Sequence, residues 1–134
     1  MAITLTISQN ELQRQAALAF EGQTYEVFLA NNSGSLTANS TYAAWQAVEL
    51  ASANGYAPVT GTIGTGAWSS ANARYELPAI TATFTSSGSG LSYDTICVRL
   101  GTETYLHSIL IESPSVTLAA GQAKSYVITL VQDD

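Results

Sequence analysis

The C-terminal half of this chain is strand after strand, and that succession constrains the fold more than any other feature. β-Prone runs fall at 74–77, 80–85, 92–100, 104–112, 116–118 and 125–131. Between them lie turn formers: Ser86-Ser87-Gly88-Ser89-Gly90, Gly101-Thr102, Ser113-Pro114 and Ala120-Gly121-Gln122. Short strands with a turn about every 8–12 residues build a sandwich or a partly closed barrel. The expectation is a mainly β fold: a single-domain antiparallel β-sandwich, jelly-roll-like, with one N-terminal α-helix.

That helix is signalled over residues 8–20. Ser8-Gln9-Asn10-Glu11 reads as a capping box, in which the Ser8 hydroxyl accepts from the Glu11 backbone N–H and Glu11 reaches back. Leu12, Ala16, Ala19 and Phe20 recur at helical spacing, and Gly22 offers a stop. Ahead of it, Ile3-Thr4-Leu5-Thr6-Ile7 alternates with period two, as a strand or an extended arm does. The chain thus divides into an arm or strand at 1–7 and one β-sandwich domain at 8–134 that includes the helix.

Between the helix and the C-terminal strands the signals are shorter. Tyr25 to Leu29 is a strand closed by the turn-forming Asn31-Asn32-Ser33-Gly34-Ser35. Residues 36–47 are ambiguous, and Tyr42-Ala43-Ala44-Trp45 is able to form a turn of helix. A turn follows at Asn54-Gly55, and Gly61, Gly64 and Gly66 predict a loop around Trp68.

Composition bears on function. Charged residues are 10% of the 134, against about a quarter in an ordinary soluble domain. Serine and threonine, 15 and 16 residues, fill the gap. The net charge is −6, and the four scattered basic residues cannot form the patch that phosphates or an anionic membrane require. No nucleic-acid or membrane partner is expected. No run approaches the roughly 18 apolar residues of a spanning helix, and residues 1–10 lack the features of a secretory signal. A surface so poor in charge suits a subunit covered by its neighbours.

Reactive chemistry is sparse. His107 lies in a strand-like run; Glu103 and Glu112 are near in sequence but not placed in space, no Gly-x-Ser-x-Gly elbow is present, and a half-buried strand histidine accounts for it. Cys97 is the sole cysteine; Arg99 stands two residues on, but a small hydrophobe within the sheet is the simpler reading. Glu76, Asp94, Glu103 and Glu112 occupy separate strands, so a facing pair of the glycosidase kind would arise by chance alone. No loop has the acid density of a calcium site. Gly61-Thr62-Ile63-Gly64-Thr65-Gly66 lacks the Lys and following helix of a phosphate loop and reads as a flexible connection. Asn31-Asn32-Ser33 and Asn39-Ser40-Thr41 match the glycosylation triplet but mark only loop chemistry here. No catalytic residue, metal or cofactor is expected, and the protein reads as a non-enzyme.

Seven tyrosines and two tryptophans are more suggestive, because such side chains bury large areas behind one polar tip. Most of them suit a sandwich core. Trp45 and Trp68, beside Ala-rich or Gly-rich segments, are candidate contact anchors, with Tyr56 next.

As an ordered pattern, the chain resembles a group of small tailed-phage virion proteins, of tail-fibre-like or minor structural type. In that group an N-terminal helix precedes a "vyvaL" strand, here Tyr25-Glu26-Val27-Phe28-Leu29-Ala30. A glutamate and "gYaR" follow, here Glu49 and Asn54-Gly55-Tyr56-Ala57, and a "v.aG" turn and final strand close it, here Val116 to Gly121 with Lys124 to Val131. The resemblance spans most of residues 8–132. Pro58 stands where the pattern has arginine, so that arginine's contact is missing here.

The resemblance implies a non-enzymatic structural protein of the virion, assembled in the host cytoplasm. Within that class the preferred assignment is a capsid decoration (cement) subunit, a homo-oligomer such as a trimer, bound to the major capsid protein. Its arm, through Ile3, Leu5 and Ile7, would add to a neighbouring sheet. The alternative is a tail, baseplate or fibre protein whose loops meet the host surface, with a host glycan as ligand. A carbohydrate-binding module stacking sugars on Trp45 or Trp68 is a further alternative, and a capsule hydrolase the last.

Overall fold

The computed structural model describes residues 8–32 and 35–132. The arm at 1–7 lies outside the described residues. The first element is α1 (Gln9–Phe20), capped by the Ser8 hydroxyl, which accepts from the Glu11 N–H at 3.2 Å. Only half of the capping box forms. The Glu11 carboxylate turns to Arg14, accepting from Nε at 2.8 Å and Nη2 at 2.6 Å, because a guanidinium one turn on outcompetes a single amide. Leu12 and Ala16 are the buried positions of this helix, Phe20 is partly buried, and Ala19 is exposed. The helix packs on β4 and β9, defined below. Gly22 turns the chain away with φ of 76°, in the region glycine tolerates best.

The domain is mainly β and antiparallel, as expected. Its largest sheet has the order β2-β1-β6-β7, formed by Val59–Thr62, Thr24–Ala30, Leu91–Leu100 and Ser108–Leu118. A second has the order β3-β4-β9, formed by Ala67–Ser69, Arg74–Glu76 and Val131–Gln132. The third pairs β5 (Ile80–Thr85) with β8 (Ala123–Ile128). β5 is buried at every second residue, the signature of a strand with one wet face.

The centre of the large sheet is covered on both faces. β1 and β6 pair so that Val27 faces Val98 and Leu29 faces Ile96, on one side, while Phe28 faces Cys97 and Ala30 faces Thr95, on the other. All eight residues are buried, which is why the pattern here is continuous and not alternating. The first side packs toward β5 and β8, where Tyr93, Tyr126 and Phe84 meet edge to face. The second side is roofed by the short helix α2 (Tyr42–Gln46), with Tyr42 edge-on to Phe28 at 5.9 Å.

Several sequence expectations need correction. The Gly-rich segment is not one loop. Residues 59–62 are β2, and Gly61 fits because a Cβ there would meet the Tyr25 phenol at 2.5 Å. Trp68 belongs to a strand, β3, paired with Tyr75. Ser113-Pro114 does not end a strand. β7 runs through it, since residues 112–115 bulge opposite Asp94 and the ladder resumes with Val116 against Tyr93. Residues 104–107 lie ahead of that strand, so His107 is not on it. The last expected strand is split into β8 and β9.

Candidate interaction surface

β7 is the outer strand of the large sheet, bonded to β6 on one side only. Its pairing sets its two faces: Leu110 lies opposite Ile96, toward β8, and Ile111 lies opposite Thr95, on the α2 side. Leu110 is 51% exposed and Ile111 61%. Across a cleft of about 220 Å³, lined by Ile96, Val98, Leu110, Tyr126 and Ile128, stands Val127 at 68%. Three of the five large apolar side chains exposed among the described residues therefore lie on β7 and β8, Leu110 and Val127 at this cleft and Ile111 on the other face of β7. Residues 108–111 and 125–129 carry no charge. Burying a Leu, Ile or Val side chain stabilises by about 1.5–3 kcal/mol, so this strip gains from being covered.

At the opposite edge of the same sheet the outer strand is β2, only four residues long. Beyond β2, the edge of β1 is sealed by a returning segment: Asn31 N–H donates to Val48 O at 3.0 Å, and Leu50 N–H to Leu29 O at 3.0 Å. The Leu29 N–H that remains donates to the Tyr56 hydroxyl at 3.2 Å, and that hydroxyl donates to Glu49 Oε2 at 2.5 Å. Burial and the Glu49 carboxylate together push the Tyr56 phenol far above its ordinary pKa. Nearby, Tyr42 donates to Glu26 Oε1 at 2.6 Å, while the Arg99 guanidinium lies 3.7 Å over its ring. Burial, then the bond to Glu26, raises the Tyr42 phenol to about 12.

The residues singled out from sequence divide accordingly. Ile3, Leu5 and Ile7 lie outside the described residues. Trp45 is fully buried, with its indole N–H donating to Thr37 O at 3.1 Å, so it offers a partner no surface; it roofs the sheet. Tyr56 is 5% exposed, stacked on Phe84, and seals the β1 edge. Trp68 is partly buried on the outer strand of the small sheet and packs against the core. The three do not form one patch. Leu110 and Ile111 on the outer strand, and Val127 across the cleft from Leu110, went unnoticed: within a strand-like apolar run nothing marks which residues will lack a neighbour.

The reactive groups are dispersed. Cys97 is buried between the sheet and its α2 roof, and burial, then the charges of Glu49 and Asp94, pushes its thiol up to about 12. His107 is edge-on to Phe20 at 6.0 Å, beside a small groove of about 170 Å³ shared with Glu103 and Tyr105. Of the four carboxylates of the sequence reading, Glu103 lies in the connection after β6 and the other three have different partners. Asp94 accepts from the Asn32 N–H at 2.9 Å, Glu76 from Asn72 at 3.0 Å, and Glu112 lies 3.5 Å from the Tyr126 hydroxyl. Among the described residues no three His, Cys, Asp or Glu side chains group as metal ligands. No helix of the described residues is long and apolar enough to cross a membrane. No family model, curated protein or solved structure matches this chain, so the chemistry of its own residues carries the functional reading.

Proposed function

We propose that this chain is a non-enzymatic structural subunit that acts through protein–protein contact. The observation that carries the reading is the uncharged first part of the outer strand β7, residues 108–111, where Leu110 and Ile111 stand exposed, with Val127 of β8 exposed across the cleft from Leu110. Edge strands of this kind are normally blunted by charge, proline or a covering loop. Residues 108–111 have none of these, which favours a partner on this edge. The dispersal of the titratable side chains supports the non-enzymatic part of the reading.

Joined to the resemblance drawn from the sequence, the proposal becomes a component of a tailed-phage virion, a capsid decoration subunit bound to coat proteins. Many modest contacts multiplied by symmetry would then hold the lattice. Cryo-EM or immunogold localisation in intact virions tests it, with copy number counted. Hundreds of copies over the head are expected. A few copies at the tail would move the role to attachment, and absence from particles would overturn the virion reading.

A further inference from the structure

We infer that the partner on the β7 edge is a second copy of this chain, joined by antiparallel pairing of β7 with β7 across a two-fold axis. The inference rests on the interaction reading above and names the occupant of that surface.

Three observations lead to it. Leu110 and Ile111 are consecutive yet both exposed, so they project from opposite faces of the sheet. A partner packed flat on one face would cover one of them; a strand added to the edge covers both. The second observation is charge. Each copy carries −6, so two copies meet only across a neutral strip, and 108–111 is such a strip. The third is register. Pairing that keeps both inner faces on one side must put residues of like orientation opposite each other. With Leu110 opposite Leu110 of the second copy, Ile109 meets Ile111 and Ser108 meets Glu112. The two Glu112 carboxylates then stay apart, each beside a serine hydroxyl, and Pro114, which lacks an N–H, falls outside the ladder. One strand thus supplies the shape, polarity and charge it needs in its partner. The product is a continuous eight-stranded sheet from two four-stranded ones.

The test uses the purified full chain. Light scattering behind size exclusion should give twice the chain mass, and Leu110→Lys or Ile111→Lys should return it to the single-chain mass with an unchanged circular dichroism spectrum. Leu110→Cys should be captured as a dimer by a short bismaleimide, whereas Leu18→Cys, 70% exposed on α1, should not be. The buried native Cys97 serves as the common background. A monomer at high micromolar concentration overturns the inference. So does a trimer, since isologous pairing closes at two. A dimer that cross-links through Leu18→Cys and not Leu110→Cys overturns it as well. These outcomes are independent of localisation: a monomer found on particles would remove the self-pairing and leave the proposed function standing.

Discussion

The two sides of the large sheet meet the same problem in opposite ways. On the β1 side, the backbone of β1 is answered from within the chain: by the short outer strand β2, by the segment through Val48 and Leu50, and where these end, by the hydroxyl of Tyr56. On the β7 side the strand is longer, eleven residues against β2's four, and nothing in the described chain lies beyond it. The sealed side uses a tyrosine backed by a buried-side carboxylate and a tryptophan roof, all of which cost polar desolvation and side-chain entropy. The long outer strand β7, next to the short β2, is the edge on which the proposed intermolecular contact rests.

Four changes break or sharpen that contrast. Trp45→Ala removes the roof of the sealed side and should destabilise by about 3–5 kcal/mol, the range for loss of a fully buried aromatic, read from denaturant unfolding. Tyr56→Phe keeps the ring on Phe84 but deletes the hydroxyl between Leu29 N–H and Glu49. Leaving that buried donor without its partner should cost about 1–3 kcal/mol in the same assay.

The third change is one of pH. Because the Tyr42 phenol is raised from 10.0 to about 12 in the folded protein, its contribution is intact below pH 10 and lost as pH rises from there to about 12. Over that window the unfolded chain releases the proton and the folded one keeps it. Thermal melts should fall across this range, and Tyr42→Phe should flatten the fall. Tyr56, Tyr75, Tyr93 and Tyr126, all shifted the same way, retain the rest of it.

The smallest effect on the fold is expected at the bare edge. Leu110→Lys should change unfolding stability of the single chain by no more than about 0.5 kcal/mol, as for an exposed site, while abolishing self-association. A large loss of stability from Leu110→Lys, or none from Trp45→Ala, would reverse the assignment of the two sides.

Much of the architecture was legible before any coordinates. The Ser8 cap, the helix it starts, and β5 at Ile80–Thr85 all follow from local rules: a hydroxyl three residues before an amide, a 3.6-residue apolar period, a two-residue alternation. The surroundings of the candidate residues were less so. Trp45 and Trp68 look alike in sequence, each beside small residues, yet one is fully buried and the other partly exposed. Glu26, Tyr42, Glu49 and Tyr56 converge although up to 30 residues separate them, and no spacing announces it. Ser113-Pro114 reads as a strand end, but β6 on the neighbouring side holds the strand together through the bulge.

By itself the sequence determined the fold class of this protein: an N-terminal helix, then a mainly β chain of short strands. These properties are sums over residues or periods within a segment, and they survive without knowledge of what lies across the fold. Only the tertiary structure decided which tryptophan is roof, which tyrosine closes an edge, and which apolar strand is left without a neighbour. Burial belongs to a pair of surfaces, and the second member of each pair comes from a distant part of the chain that no local pattern names.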